Sequence, residues 1–258
     1  TAGNYYCTDS ANHIIRKISA DGVTVFAGTA GSSGITDDSG SAARFNGPWG
    51  IACDGSSLYV TDNGSGKLRK ITSTGVVTPY TDASVVCTAP TGVAVVGTDL
   101  YFVCEGKRIM KTTTTATSTA ADWAGAGATV QIGSSASNAD YSSTTIAVAT
   151  IPFTGVRGIC VIRVGPAVDT IIVPDTGSHR LLAFSTTSTG LPAASGMGSV
   201  FAGGTGNAGD VVGTQGAQAS AGNTASSLKF SSPNGCASNA GTGAVTTGLW
   251  VSDAGNNK

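Results

Sequence analysis

One short segment recurs along the chain and sets its organisation. In the clearest copy, residues 58–61 form a β-branched and aromatic run, residues 62–66 are turn formers, and residues 67–71 alternate charged with apolar side chains. This pattern predicts a β-hairpin. Related segments lie at residues 5–18, 100–110, 171–182 and 249–258. The recurrence predicts a repeat array with insertions of variable length.

The composition favours strands joined by tight turns. Only 11% of the residues are charged and 37 of 258 are Gly, while Thr, Val and Ile outnumber the usual helix formers. We therefore expect an all-β fold, and the length suits one domain over residues 1–258. The first and last segments stop in mid-repeat, so we also expect the chain to be a piece of a longer one.

The charge balance argues against two classes of partner. The formal net charge is −1 and the pI is about 6.0, whereas nucleic acid and anionic membranes attract clustered basic surfaces. No apolar run approaches the length of a transmembrane helix. The basic residues lie mostly on the repeated hairpins, and we expect them on solvent-facing strand surfaces.

Residues 26–71 carry the fullest succession of motifs: Ala-Gly-Thr, Ala-Ala-Arg-Phe-Asn, Gly-Ile-Ala, Leu-Tyr-Val-Thr-Asp and Arg-Lys-Ile. This succession resembles the NHL repeat, whose copies form the four-stranded blades of a β-propeller. The resemblance implies about five blade units in this chain, of which the terminal ones are incomplete. An incomplete blade leaves an open strand edge, so we expect self-association or a neighbouring protein at these edges.

A carboxylate recurs at one place in the hairpins. It is Asp9, Asp62, Asp175 and Asp253, with Glu105 in the degenerate copy. A carboxylate there can accept N–H groups of the following tight turn, which stabilises it by roughly 1 kcal/mol. We expect this structural role, and a ring of metal-binding carboxylates is the alternative.

The sequence predicts no catalytic group, metal site or cofactor. His13 and His179 are the only histidines and occupy equivalent positions in two hairpins, which indicates a repeat-consensus role rather than a unique general base. Within the resemblance, the amidating lyases hold zinc with several histidines, a set that two histidines on separate blades cannot supply. Nucleophile-elbow and P-loop motifs are absent from the sequence.

The cysteines favour disulfides over zinc. The chain has six, without a Cys-x-x-Cys pair or a nearby histidine. Their even number, with low charge and abundant Ser and Thr, favours an extracellular or cell-surface setting. All are disulfide candidates, and fifteen pairings are open: Cys7, Cys53, Cys87, Cys104, Cys160 and Cys236.

Two features predict glycosylation. Asn63 begins an Asn-Gly-Ser sequon, although an ordinary turn Asn is an equal alternative. The threonine tract has the composition of an O-glycosylated segment, and its candidate sites are Thr112, Thr113, Thr114 and Thr115. The three tryptophans, Trp49, Trp123 and Trp250, are expected to pack within the core or between blades.

These features are compatible with three functions, which we rank in the following order of preference. The first is a non-enzymatic, glycosylated structural subunit of a cell-surface fibre or appendage, supported by low charge, Ser/Thr richness and open edges. The second is a propeller ectodomain that binds a protein or carbohydrate ligand. The third is a propeller lyase or hydrolase, which would need a central metal and converging ligands.

Overall fold

The computed structural model of the chain describes residues 3–80, 87–114, 121–125, 146–147, 153–163, 168–187, 197–202, 230–238 and 248–256. Within these residues the elements are β-strands and single turns of 3-10 helix, and no helix is long and apolar enough to cross a membrane. The chain divides into two compact units, Thr1–Glu105 with Met110–Ala121 and Gly106–Ile109 with Asp122–Lys258. The single domain expected from the sequence therefore stays a prediction.

Three antiparallel sheets follow one another along residues 5–125. The first sheet consists of β1 (Tyr5–Asp9), β2 (Ile14–Ser19) and β3 (Gly22–Ala27). The second consists of β4 (Pro48–Cys53), β5 (Ser57–Asp62), β6 (Lys67–Thr72) and β7 (Val77–Pro79). The third consists of β8 (Pro90–Val96), β9 (Asp99–Cys104), β10 (Arg108–Thr113) and β11 (Ala121–Gly125). These strands confirm the predicted hairpins and their order.

Two further sheets lie along residues 146–253. The fourth, in the spatial order β12, β16, β15, β14, β13, consists of β12 (Ile146–Ala147), β13 (Cys160–Arg163), β14 (Val168–Asp175), β15 (Arg180–Thr187) and β16 (Met197–Ala202). The fifth consists of β17 (Pro233–Ser238) and β18 (Leu249–Asp253). The sequence did not predict β12, because a two-residue strand carries no alternating pattern.

The strand register corrects the assignment of Glu105 to the repeated carboxylate position. In the second sheet the residue that ends the first strand of the hairpin, Asp62 of β5, pairs with Pro48, the first residue of the inner strand β4. In the third sheet the residue paired with Pro90 is Cys104, and Glu105 follows it. The turn from β9 to β10 has one residue fewer than the turn from β5 to β6. Aligning the repeated segments on the basic strand that follows the turn therefore placed Glu105 at the repeated Asp position, one residue too late in the sequence.

Each face of the second sheet packs on a neighbouring sheet. Successive side chains of a strand point to opposite faces, and one face presents Leu58, Ile71 and Val77 to a buried cluster shared with Ile15 and Phe26 of the first sheet. The core between these two sheets is thus formed by matched rows of apolar side chains.

The opposite face of the second sheet presents Tyr59 and Leu68. They form a second buried cluster with Val93, Leu100 and Phe102 of the third sheet. The same face-to-face packing joins the fourth sheet to the fifth, where Ile172 packs with Leu249 and Val251. Sheets that are consecutive in the sequence therefore share a core at each of these three junctions.

Candidate functional site

The repeated Asp side chains hold the start of the inner strand against the hairpin. In three sheets the Asp Oδ1 accepts the N–H of the residue two places before its strand partner. These bonds run from Asn46 to Asp62 at 2.7 Å, from Thr154 to Asp175 at 2.8 Å and from Ser231 to Asp253 at 2.7 Å. A bond to the segment before the inner strand was not predicted, because the two partners are far apart in sequence.

The bond predicted to the following turn is present at Asp9, whose Oδ1 accepts the N–H of Asn12 at 3.3 Å. At Asp62, the Oδ2 instead accepts a hydrogen bond from the hydroxyl of Ser65 at 2.7 Å. Among the described residues, no group of three or more His, Cys, Asp or Glu side chains has an arrangement suited to a metal ion. The contacts seen at Asp9 and Asp62 are hydrogen bonds from the following turn and from the segment before the inner strand.

In the third sheet a covalent bond joins the hairpin to the segment before the inner strand. Cys104 takes the place of the Asp and forms a disulfide with Cys87, which precedes the inner strand that begins at Pro90. Glu105 adds a second link, since its Oε1 accepts the hydroxyl of Thr88 at 2.8 Å. A disulfide thus replaces the carboxylate bond in this sheet.

Arg69 corrects the expectation that the basic residues of the hairpins face solvent. Its side chain is 0% exposed and lies 3.6 Å from the Oδ2 of Asp62, which is also 0% exposed. It donates to the C=O groups of Arg44 at 3.1 Å and Thr36 at 3.0 Å, and it pairs with Asp37. Arg69 therefore ties the long connection between the first two sheets to the second hairpin.

Burial raises the pKa of Asp62 above its ordinary value, while the hydrogen bonds from Ser65 and Asn46 and the charge of Arg69 act to lower it. The fourth sheet has a buried pair of the same kind with its Arg at the position of Lys67: the Nη2 of Arg180 lies 2.9 Å from the Oδ2 of Asp175, and both side chains are buried. A buried cation beside a buried carboxylate requires this close pairing.

A second set of bonds joins each hairpin to the next sheet. The residue after the Asp donates to the C=O of the Pro that begins the following inner strand. Asn63 Nδ2 donates to Pro90 at 3.0 Å, and Thr176 Oγ1 donates to Pro233 at 2.7 Å. Ser10 donates to Pro48 in the same way. Asn63 is thus an inter-sheet donor at a repeat position, which supports the interpretation of this sequon as ordinary turn chemistry.

The two histidines make a matching inter-sheet contact. The Nδ1 of His13 accepts the N–H of Gly47 at 3.0 Å, and the Nδ1 of His179 accepts the N–H of Ser232 at 3.0 Å. Both histidines have left-handed backbones, with φ of 59° and 54°, and Gly66 takes this place in the second hairpin with φ of 71°. Their equivalent contacts support the repeat-consensus role.

We expect Asn63→Ala to destabilise the chain by about 1 kcal/mol, because the C=O of Pro90 loses a part-buried donor. Asn63→Thr should cost less, since Thr176 makes this bond at the equivalent position. Urea unfolding of both variants measures the difference. An Asn63→Thr variant as unstable as Asn63→Ala would show that the amide acts by another contact.

The cysteines confirm that the chain forms disulfides. Cys160 of β13 bonds to Cys236 of β17 across neighbouring inner strands, in addition to the bond between Cys87 and Cys104. Cys7 and Cys53 are free thiols. Disulfides between neighbouring strands or blades were the expected kind, and the pairing itself needed the structure.

The threonine tract is less accessible than its composition suggested. Thr112 and Thr114 are 3% and 8% exposed, and the Thr114 hydroxyl donates to the C=O of Thr98 at 3.2 Å. A buried hydroxyl cannot carry a glycan in the folded chain. Thr113 is half-buried, and Thr115 lies outside the described residues.

Two tryptophans correct the expectation of core packing. Trp49 is 41% exposed and Trp250 is 60% exposed, while the side chain of Trp123 lies outside the described residues. Trp49 is the second residue of β4, and its C=O accepts the hydroxyl of Thr8 at 2.6 Å. The next residue, Gly50, donates its N–H to Thr61 Oγ1 at 2.8 Å. A fixed main chain thus presents an exposed indole, which makes Trp49 the candidate binding residue.

No family model matches the sequence, and the comparison with curated proteins found no match. Solved structures do match: an auxiliary nutrient binding protein from Bacteroides thetaiotaomicron VPI-5482 is 12% identical with a TM-score of 0.57 and covers 100% of this chain. One from Bacteroides ovatus ATCC 8483 is 13% identical with a TM-score of 0.57 and 99% coverage. A streptogramin B lyase is 14% identical with a TM-score of 0.50 and 98% coverage. The fold is that of a β-propeller.

This propeller chain spans 65%, 64% and 60% of the lengths of those three proteins, in the order given. The likeness confirms the all-β propeller class that was predicted. It does not single out the NHL repeat, which therefore remains a resemblance of residues 26–71.

Proposed function

We propose that the chain is a non-catalytic, extracellular ligand-binding propeller that binds a carbohydrate at the exposed indole of Trp49. The observation that carries this proposal is the 41% exposure of Trp49 on a strand whose main chain is fixed by neighbouring side chains. A large, rigid aromatic ring exposed on an ordered strand supplies contact area at little cost in conformational entropy.

A sugar suits this position on chemical grounds. The C–H groups on one face of a pyranose can pack on an indole ring, while its hydroxyl groups bond to polar groups nearby.

Several observations favour binding over the other functions considered. The histidines and buried carboxylates already hold sheets together, and the fibre hypothesis loses the support of Thr112 and Thr114. Two of the similar structures are named as nutrient-binding proteins. The two disulfides support an oxidising, extracellular or cell-surface setting.

The test is a glycan array followed by calorimetry on the sugar that binds best. Trp49→Ala should weaken binding by at least about 30-fold, the loss typical of an aromatic hot spot. Ile35→Ala is the matched control, because Ile35 is an exposed apolar residue of a loop, at 54% exposure, and should leave the affinity unchanged.

Thermal unfolding of both variants checks that the fold is intact. Absence of any glycan that binds above background, or equal affinity of Trp49→Ala and the wild type, would contradict the proposal.

A further inference from the structure

The first sheet has an apolar face that is open to solvent. Tyr5 pairs with Ile18, and Ile18 pairs with Val23, so the three form one row across β1, β2 and β3. Their exposures are 70%, 37% and 58%. We call these three residues the Tyr5 row. Exposed large apolar side chains in one continuous row mark a surface suited to a partner.

The second sheet shows what covers such a row. Leu58, Ile71 and Val77 form the equivalent row across β5, β6 and β7, and their exposures are 5%, 0% and 1%. They are buried because the preceding sheet packs on them through side chains such as Ile15. In each sheet, we call the face that carries the residue at the Tyr59 position the forward face. The natural cover of the Tyr5 row is therefore the forward face of another sheet of this repeat.

The fifth sheet has a forward face of that kind, and it is also exposed. Trp250 lies three residues before Asp253, as Tyr59 lies three before Asp62. Tyr59 is 0% exposed because the third sheet covers it, whereas Trp250 is 60% exposed. Ala237, which pairs with Trp250, is exposed as well. The fifth sheet thus presents an aromatic group where the second sheet presents a buried one.

We propose that two copies of this chain associate head to tail, with the Trp250 face of one copy packed on the Tyr5 row of the next. Each described junction brings the residue at the Tyr59 position against the row of the following sheet, as Tyr59 packs with Leu100 and Ile172 packs with Leu249. The proposed contact repeats this geometry between molecules.

The contact is heterologous, because the two surfaces differ. A heterologous contact leaves one unused face at each end, so association continues beyond the dimer unless the rotation closes a ring. The sequence predicted association through open strand edges, whereas the apolar area lies on the sheet faces. This inference is independent of carbohydrate binding, and Trp49→Ala should leave association unchanged.

The test uses sedimentation velocity on two variants and their mixture. Val23→Glu places a charge in the Tyr5 row, and Trp250→Glu places one on the forward face of the fifth sheet. The wild-type mass should rise with concentration, and each variant alone should associate at least about 10-fold more weakly, as expected when a charge enters an apolar contact. Mixed in equal amounts, the variants should form dimers, because each keeps the face that the other has lost.

Ile35→Glu is the matched control, since it adds the same charge at an exposed loop residue and should associate like the wild type. Tyr5→Ser, at a side chain 70% exposed, repeats the test in case Val23→Glu disturbs the fold. A wild-type chain that is monomeric up to about 1 mM, near the weakest range of specific association, would overturn the proposal. Association of Trp250→Glu by itself as strong as that of the wild type, or a mixture that associates no more strongly than the separate variants, would overturn the head-to-tail arrangement.

Discussion

Replacing Arg69 with Met should destabilise the chain by about 3–5 kcal/mol, the cost of removing one partner of a buried ion pair. The side chains of Arg69 and Asp62 are both 0% exposed, so the variant leaves a buried carboxylate without its cation. It also removes the donor to the C=O groups of Thr36 and Arg44. Urea unfolding at neutral pH measures the loss.

The repeat supplies a matched control for this variant. Arg16 takes the position of Arg69 in the first sheet and bonds to Asp9 at 2.7 Å, but its side chain is 35% exposed. Arg16→Met should therefore cost far less than Arg69→Met, because exposed ion pairs contribute little to stability. Equal losses in the two variants would show that burial does not decide the strength of this contact.

The loss in Arg69→Met should shrink as the pH falls. The charge of Arg69 lowers the pKa of Asp62, which burial raises, so removing Arg69 raises that pKa further. A carboxyl whose folded-state pKa lies above its unfolded-state pKa destabilises the fold when it is ionised, and protonation relieves this cost. The difference between variant and wild type should therefore narrow from neutral pH towards the ordinary Asp pKa of 3.8. A difference that grows on acidification would contradict this sign.

Removing the disulfide between Cys160 and Cys236 should have a comparable effect. The bond joins residues 76 apart, and a closed loop of this size limits the unfolded chain enough to contribute about 4 kcal/mol. The double substitution Cys160→Ala and Cys236→Ala should lower the thermal midpoint accordingly. The pair Cys87 and Cys104, only 17 apart, should contribute about 3 kcal/mol.

The free thiols provide the control for both disulfide variants. Cys7 and Cys53 are unpaired, so their joint replacement by Ala should shift the midpoint far less than either disulfide variant. Peptide mapping without reduction would identify the bonded pairs directly. A large shift in the control, with a linked peptide containing Cys7 or Cys53, would show a different pairing.

The sequence predicted the strands well because each hairpin carries its own signals. The alternation in residues 67–71 and the turn formers in residues 62–66 are local, and local patterns decide where a strand begins and ends. Where one residue was lost from a turn, as after Cys104, the same reasoning misplaced the carboxylate by one position. Register depends on pairing with the inner strand, which the local pattern does not contain.

The candidate site was harder to predict, for a physical reason. Burial of Arg69 depends on Asp37 and Thr36, which come from a long connection without repeat features. Exposure of Trp49 and Trp250 depends on what covers each sheet face, and an aromatic residue in a strand is usually covered. Composition gives the residue types available, whereas only the assembled sheets show how far each side chain is exposed.

Two kinds of hydrogen bond between sheets share one property, which is that the atom contributed by the next sheet belongs to the main chain. In one kind, Asn63 and Thr176 donate to Pro carbonyl groups, and in the other, the N–H groups of Gly47 and Ser232 donate to histidines. Such a bond recognises the path of the next strand rather than its side chains. A duplicated or exchanged repeat would therefore fit its new neighbour at these contacts without compensating substitutions. The residue after each Pro is left free to diverge, which explains how Trp49, Thr91 and Asn234 can differ in one shared framework.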